Sequence, residues 1–569
     1  MKRILAGAGL LTPWLLGIGS ALGSSIPNLH QRDQTITTGA ESACRPPLPS
    51  ILLQKYPPSA EDAALQSLLA NVQSAAAASV ATDGVDSVSL GIVGPQGLIW
   101  YKGFGKAQAN GTDDAPPNEH TIYRIASISK MFAAMEGFVL QDKGYLSWED
   151  SVVKHVPNFT YNPQSWIEYL ENTTQPSSGD EDDPIILRQL ASHTSGIGRD
   201  LPYYNLEGYP NVTADQPPRQ QPTSNEQLQA IASIPLVAAP GSFPMYSNTG
   251  FSVLGEALVA ANAKTEGNRV SYADLLKRDI FGPLAMNGSS FVASPENAAH
   301  LAIPQVSAEV DYNPDESFQP PGGQFSSVAD LANTVQFLLN PTSATGSRII
   351  RTPSLREWIR PSFAEYDNAT ETGLVWEILK LTDQYGQVQR FYGKAGDLQT
   401  FHSQLSFSRE LQFGAVVLNT GNAVAPFVSR DALQLLLPGI QSILEERAKE
   451  RYAGSWKNDA NPDDEIVIVV EKGILAITKW IFGGNDFLEL YLAGTIDRAL
   501  LWSTGRLDEF RIAVGTPGLN TDPLMGCFSY WTALDALASR HVSLDLLYFI
   551  GEGDQRLMKV PSLNAVLHR

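Results

Sequence analysis

The chain has 569 residues, 43% of them hydrophobic and 18% charged. That is enough apolar material for two or three packed domains, and too little charge for a disordered chain. The formal charge of −20 repels phosphate backbones and argues against nucleic acid as a partner.

At the N-terminus, "MKR" precedes an apolar run broken by Pro13 and small residues at Ala21 to Ser25. This order predicts a secretory signal peptide over residues 1–23. No later run is long enough to cross a bilayer. Six N-x-S/T sequons stand at Asn110, Asn158, Asn172, Asn211, Asn287 and Asn368, and each is a candidate glycosylation site. The two cysteines, Cys44 and Cys527, are an even count in a chain that looks exported, which predicts a disulfide between them.

Residues 24–58 are polar and Pro-containing and read as an extended leader. From Ser59, "SAEDAALQSLLANVQSAAAASV" predicts an N-capped, Ala-rich helix. "VDSVSLGIVGPQGLIWYKGFGKA" predicts two strands joined by the turn "GPQG". A helix starts near Ser127, and a mostly helical middle follows, interrupted by the acidic "SGDEDDP", Ser178 to Pro184, which reads as a solvated loop. Strands return in "GLVWEILKLT", "QVQRFYGKAGD", "TFHSQLSFSRE" and "LQFGAVVLNTG", and a last helix lies in "VSRDALQLLLPGIQSILEERAKE". Strands at both ends of one unit, 59–448, with helices between them predict an α/β fold of the α+β type. Its antiparallel sheet is flanked by helices and carries an all-helical insertion. Residues 449–569 alternate in short runs and predict an all-β domain, a small sandwich or barrel.

"YRIASISKMF" places Ser127 one helical turn before Lys130, on the same face. Alone, this fits a helix-starting serine and a snorkelling lysine as well as it fits a nucleophile and its partner. A serine hydroxyl needs a neighbouring base. None of the eight histidines sits in a telling motif, and there is neither a G-x-S-x-G elbow nor a metal-binding cluster. A lysine whose pKa is lowered by burial or by a second cation is a candidate base. "FPMYSNTG" holds Tyr246 and Asn248, and "FYGKAGD" holds Lys394 on a predicted strand.

These three motifs, in this order, resemble the serine β-lactamase and penicillin-binding-protein superfamily, in its class C and esterase-like branch (S-x-x-K, Y-x-N, K-x-G). "LRQLASHTSGI", "IFGPLAMNGSSF" and "PGGQFSSVADLANTVQFLL" resemble its other landmarks, and the resemblance spans about residues 60 to 440. It implies a β-lactamase/transpeptidase-like fold and an acyl-enzyme on Ser127. Lys130 would shuttle the proton, Tyr246 would be a phenolate-like base between Lys130 and Lys394, and Asn248 would hold Lys130 and the substrate. The oxyanion would sit on the backbone N–H groups of Ser127 and Asp397. It implies packing and turn roles for His193 and Ser195, and no cofactor or metal.

The C-terminal domain is similar to the lipocalin-like modules of secreted fungal members. Where many relatives carry K-T-G and then Ser or Thr, this chain has Ala395 and Asp397, which lose a hydroxyl and add a charge beside the oxyanion strand. This favours an esterase or acyltransferase over a β-lactamase, and the whole pattern reads as a secreted serine hydrolase of small esters, amides or thioesters. The alternatives are an acyltransferase in secondary-metabolite assembly, a true β-lactamase or D-peptidase, and a non-catalytic binding protein. The last should show decay at Ser127, Lys130 or Tyr246, and all three are intact.

Overall fold

The computed structural model describes residues 44–569, apart from 112–113, 174–183, 207–208, 210–220, 307–312, 342–348, 493–496, 516–518 and 521. The signal-peptide segment, most of the acidic patch and Asn211 lie outside the described residues. Two compact units emerge. The first comprises residues 59–382 and 388–437, and the second 44–58, 383–387 and 438–569.

The first unit opens with helix α1 (Ala63–Ser79), which buries Leu65, Leu69, Val72 and Ala76 at helical spacing. Strands β1 (Val85–Gly94) and β2 (Gly97–Gly105) form the expected hairpin. Helix α2 (Ser129–Lys143) is buried from Ser129 through Leu140 and ends at Gly144, whose φ of 77° is the left-handed C-cap glycine favours. Helices α3 (Asn248–Glu266) and α4 (Val328–Leu339) complete the elements that carry or brace the site. The chain then returns as β3 (Pro361–Ala364), β4 (Thr370–Gly373), β5 (Glu377–Thr382), β6 (Val388–Leu398), β7 (Phe401–Ser408) and β8 (Phe413–Gly421). The sheet order is β2-β1-β8-β7-β6-β5-β4-β3, antiparallel throughout. Strands from the two ends of the unit therefore meet at β1–β8, as predicted from their distribution in the sequence.

Almost every residue of β1 is buried, because helices pack on both faces of the sheet. On one face a Cβ at Gly91 would lie 2.5 Å from Val328 of α4. Val88, Leu90 and Ile92 point the other way, and α1 packs on this strand. Inside α2, Glu136 is fully buried. Burial, together with the nearby Asp279 carboxylate, pushes its carboxyl well above the ordinary range.

A last helix, α5 (Ser429–Tyr452), contains Pro438 at the border between the units. In the second unit β9 (Gly454–Asn458), β10 (Asn461–Glu471), β11 (Ile474–Phe482), β12 (Asn485–Asp486), β13 (Ala499–Ser503), β14 (Glu509–Ala513), β15 (Leu546–Ile550), β16 (Leu557–Val560) and β17 (Ala565–His568) run in the order β10-β9-β17-β16-β15-β14-β13-β11-β12. Strands β10 and β11 also pair, so the sheet closes on itself. Of the two architectures expected from the alternating runs, the structure adopts the barrel, which leaves no long open edge. At the end of α5, Arg451 donates two hydrogen bonds to the Asp508 carboxylate, Arg556 donates a third and the Tyr452 hydroxyl a fourth.

Residues 44–58 are not simply extended. They contain a short helix, Ile51–Lys55, and bury Leu48, Leu52 and Leu53. Cys44 is bonded to Cys527 with Cα atoms 4.4 Å apart, so the leader is tied covalently into the second unit. The bridge closes 483 residues of chain, for which chain-entropy arguments give roughly 5 kcal/mol. A Cys44→Ser/Cys527→Ser variant is expected to unfold at clearly lower temperature. The wild-type protein, unfolded without reductant, should show no titratable thiol. Two free thiols would refute the bridge.

Candidate active site

The site lies in the first unit and begins at the turn before α2. Ala126–Ile128 form a tight 3₁₀ turn capped by Ile125, in which Ala126 adopts φ of 44°, a conformation that costs a residue with a Cβ on the order of 1 kcal/mol or more. Neighbours hold the turn in place. The Ile125 N–H donates to Gln324 O (3.0 Å), the Ser403 hydroxyl donates to Ile125 O (2.7 Å), and the Ser129 hydroxyl donates to Ala126 O (2.6 Å). The result is selective exposure: from Thr121 to Leu140, Ser127 is the one residue that is not buried.

Lys130 is fully buried one turn into α2. Its Nζ donates to Ser127 Oγ (3.0 Å), Asn248 Oδ1 (2.7 Å) and Pro321 O (2.5 Å). Burial, aided by the Lys394 cation and opposed by Tyr246 and Asp200, lowers its pKa to about 8. Asn248 is the first residue of α3, directly after the N-cap Ser247, whose hydroxyl accepts the Gly250 N–H. Its side-chain amide bridges Lys130 and Asp200, donating to Asp200 Oδ1 at 2.8 Å.

Tyr246 is surrounded by positive charge. Lys130 Nζ lies 4.8 Å, Lys394 Nζ 5.0 Å and Arg199 Cζ 4.8 Å from its ring centroid. Burial alone would raise its phenol. The fields of Lys130 and Lys394 outweigh that, and the net pKa falls below the ordinary value of 10.

His193 stacks on the Tyr246 ring, with centroids 4.5 Å apart and planes 27° apart. Its Nδ1 accepts the Ser247 N–H (3.1 Å) and its carbonyl accepts the Met245 N–H (2.6 Å). With Nδ1 used as an acceptor, burial and then the cations Lys130, Lys394 and Arg199 hold the imidazole neutral. The turn role expected for this residue thus extends to direct positioning of Tyr246. Ser195 is buried, and its hydroxyl accepts the Ile197 N–H at 3.3 Å.

Lys394 lies inside the sheet on β6. It donates to Glu377 and to Ala395 O (2.8 Å), and the Glu377 carboxylate also accepts the Ala395 N–H (2.8 Å). Burial would lower the Lys394 pKa, but Glu377 and Tyr246 reverse this and raise it. Strands β5 and β6 pair only as far as Gly393, so beyond it no strand among the described residues pairs with this edge of β6. Alternation along a strand sends the Asp397 N–H to the same edge as the Ala395 N–H. The nucleophile turn lies against the face of β6 at this point: a Cβ at Gly396 would lie 2.3 Å from Ile125 O and 2.8 Å from Ser127 N. Only glycine permits this approach. The Asp397 side chain has its own partner. His402, opposite it on β7, places Nδ1 3.4 Å from Asp397 Oδ2 while its Nε2 bonds Gly421 O at 3.1 Å.

The structure therefore brings Ser127, Lys130, Tyr246, Asn248 and Lys394 together, and sets the Asp397 backbone beside Ser127. Sequence reasoning missed Glu377, Asp200, Arg199 and His402. Each acts through a register or a turn that no local spacing encodes. Only Glu377, an acidic residue at the start of a predicted strand beside the lysine strand, had any signal. Among the described residues no group of His, Cys, Asp and Glu could hold a metal ion.

The Beta-lactamase family profile matches residues 72–438. Beta-lactamase-like protein str6 of Strobilurus tenacellus is 36% identical over 310 residues, which cover 52% of this chain and 98% of that protein. The D-alanyl-D-alanine-carboxypeptidase/endopeptidase AmpH of Escherichia coli K12 is 25% identical over 240 residues, 42% of this chain and 54% of that protein. Among solved structures, a β-lactamase/D-alanine carboxypeptidase from Yersinia pestis in complex with citrate superposes with a TM-score of 0.51 at 21% identity. It covers 66% of this chain and 98% of that one. A class C β-lactamase gives a TM-score of 0.51 at 17% identity, covering 68% and 99%; both show a shared fold. The chain belongs to the β-lactamase family, whose members are serine hydrolases and related transferases acting through an acyl-enzyme.

Proposed function

We propose that this protein is a secreted serine hydrolase that forms an acyl-enzyme on Ser127 and favours neutral esters or thioesters over anionic β-lactams. The carrying observation is the partly exposed Ser127 hydroxyl, hydrogen-bonded to a buried Lys130 whose field, with that of Lys394, lowers the Tyr246 phenol.

In this reading Tyr246, as phenolate, takes the Ser127 proton through Lys130 while Oγ attacks the carbonyl carbon. The developing oxyanion is held by the N–H groups of Ser127 and Asp397. Collapse breaks the bond to the leaving group, which receives the proton from Tyr246. Water, or another acceptor, then enters by the reverse path. Asn248 orients Lys130 and reaches the substrate. Lys394 keeps Tyr246 charged, with Glu377 fixing the Lys394 ammonium.

Secretion is supported by the N-terminal segment, by the disulfide, and by exposure of Asn110, Asn158, Asn172, Asn287 and Asn368 at the described sequons. No helix among the described residues is long and apolar enough to cross a membrane.

Labelling with a fluorophosphonate tests the nucleophile. Peptide mass mapping should place a single adduct on Ser127; an adduct elsewhere, or none, would overturn the reading. The preference for neutral esters has its own test. Ala395 offers no hydroxyl and Lys394 is already paired with Glu377, so a carboxylate reaching the β6 edge finds little to bind. A neutral p-nitrophenyl ester should show higher kcat/KM than nitrocefin. Ala395→Thr should improve binding of substrates whose carboxylate reaches that edge by about 0.5–1.5 kcal/mol, the worth of one hydrogen bond. A wild-type preference for nitrocefin would refute the argument.

A further inference from the structure

Three cations approach the Tyr246 ring, and two of them are committed. Lys130 is fully buried and spends its donors on Ser127, Asn248 and Pro321. The Lys394 side chain is 2% exposed and held by Glu377 and Ala395. Arg199 differs. Its side chain is 45% exposed, and its one ion pair is a loose contact of Nε with Asp200 Oδ2 at 3.4 Å. The other Asp200 oxygen accepts from Asn248. Among the described residues the two terminal guanidinium nitrogens make no hydrogen bond.

The position of Arg199 is nonetheless set by the site. Its carbonyl accepts the N–H groups of Asn248 (2.8 Å) and Thr249 (3.2 Å), which ties its backbone to the start of α3, and its guanidinium lies against the Tyr246 ring. A planar fork of unused donors, held beside the reacting centre and open to solvent, matches a carboxylate in bidentate geometry.

Which part of the substrate would carry that carboxylate follows from Tyr246. In the reading proposed above, on which this step rests, the phenol hands its proton to the leaving group and later takes one from the incoming acceptor. A group packed against Tyr246 therefore stands beside the leaving group or acceptor rather than the acyl chain. We propose that Arg199 is a specificity-determining residue that binds a carboxylate on the leaving group or on the acceptor that replaces it. This carboxylate is met from the 193–200 turn rather than from the β6 edge, where Ala395 and Asp397 disfavour one.

Three acetyl or succinyl esters separate the possibilities: phenyl acetate, 4-acetoxybenzoate (carboxylate on the leaving group) and monophenyl succinate (carboxylate on the acyl group). The full-length enzyme should prefer 4-acetoxybenzoate to phenyl acetate by roughly tenfold in kcat/KM, mostly through KM, a factor typical of one charge-assisted contact. Arg199→Gln should erase that ratio, Arg199→Lys should keep part of it, and the succinate-to-acetate ratio should not follow either change. An equal loss on all three esters would mean that Arg199 serves only the fold or the field at Tyr246, and would overturn the proposal. So would absence of the preference in the wild type.

Should none of the esters turn over, benzoate is expected to slow fluorophosphonate labelling of wild-type Ser127 while benzamide does not, with no benzoate effect in Arg199→Gln. Equal protection by the two, or none, overturns the proposal. Failure of Ser127 to label at all overturns the catalytic reading itself, and the proposal with it.

Discussion

Ser127→Ala is expected to lower kcat for a short p-nitrophenyl ester by on the order of a thousandfold or more, with the fold unchanged. The substitution removes the atom that would become acylated. Ser127 is partly exposed, and the hydroxyl holding the turn to α2 is that of Ser129, which donates to Ala126 O. The loss should therefore appear in the chemical step, with an unaltered circular dichroism spectrum and unfolding midpoint. Lys130 would keep its bonds to Asn248 and Pro321, so its charge should stay satisfied in the variant. Near-normal hydrolysis by Ser127→Ala would remove Ser127 from the mechanism.

Tyr246→Phe is expected to cost on the order of a hundred- to a thousandfold, within the range of a lost general base. The ring should still stack on His193, which makes the variant a test of the phenol and not of packing. The pH profile sharpens the test. Catalysis by a Tyr246 phenolate requires Tyr246 deprotonated and Lys130 protonated. As pH rises, kcat/KM should climb while Tyr246 loses its proton, whose pKa the two cations have lowered. It should then fall as Lys130 loses its own near pH 8, because the field that stabilises the phenolate disappears. If neutral Lys130 were the base, the rate would instead rise through pH 8 and level off. Tyr246→Phe would then keep most activity while Lys130→Ala lost it. The phenolate also supports the ammonium of Lys130, so its removal should move any residual Lys130 titration to lower pH.

The linear sequence by itself carried the three motifs whose resemblance to the family names the candidate reacting groups, and the pattern of the sheet. Ser127 and Lys130 share a face because helical periodicity places residues three apart together. Tyr246 and Asn248 flank a helix start that Ser247 caps, and Lys394 falls in an apolar run of strand length. The return of strands after a helical middle is enough to make β1 meet β8, since a half-buried strand edge must be satisfied by another strand. The alternating runs after residue 449 announced an all-β unit, and two cysteines in a chain that looks exported announced the bond between Cys44 and Cys527.

Tertiary structure alone decided how those groups are tuned. Glu377 reaches Lys394 because the β5–β6 register sets it opposite Gly393, and a register shift of one residue would send it to the other face. His193 meets Tyr246, and Arg199 joins them, because the 193–200 turn is bonded to the loop before α3, some fifty positions away along the chain. His402 faces Asp397 across a strand pair. The barrel closes through the β10–β11 pairing, which alternation cannot distinguish from a sandwich. Charge and burial act through space and fall off over a few ångströms, whereas spacing patterns report only neighbours along one helix or strand. That is why Ser127 and its two lysines could be read from three short motifs together, while Glu377, Arg199 and the stacking of His193 on Tyr246 could not.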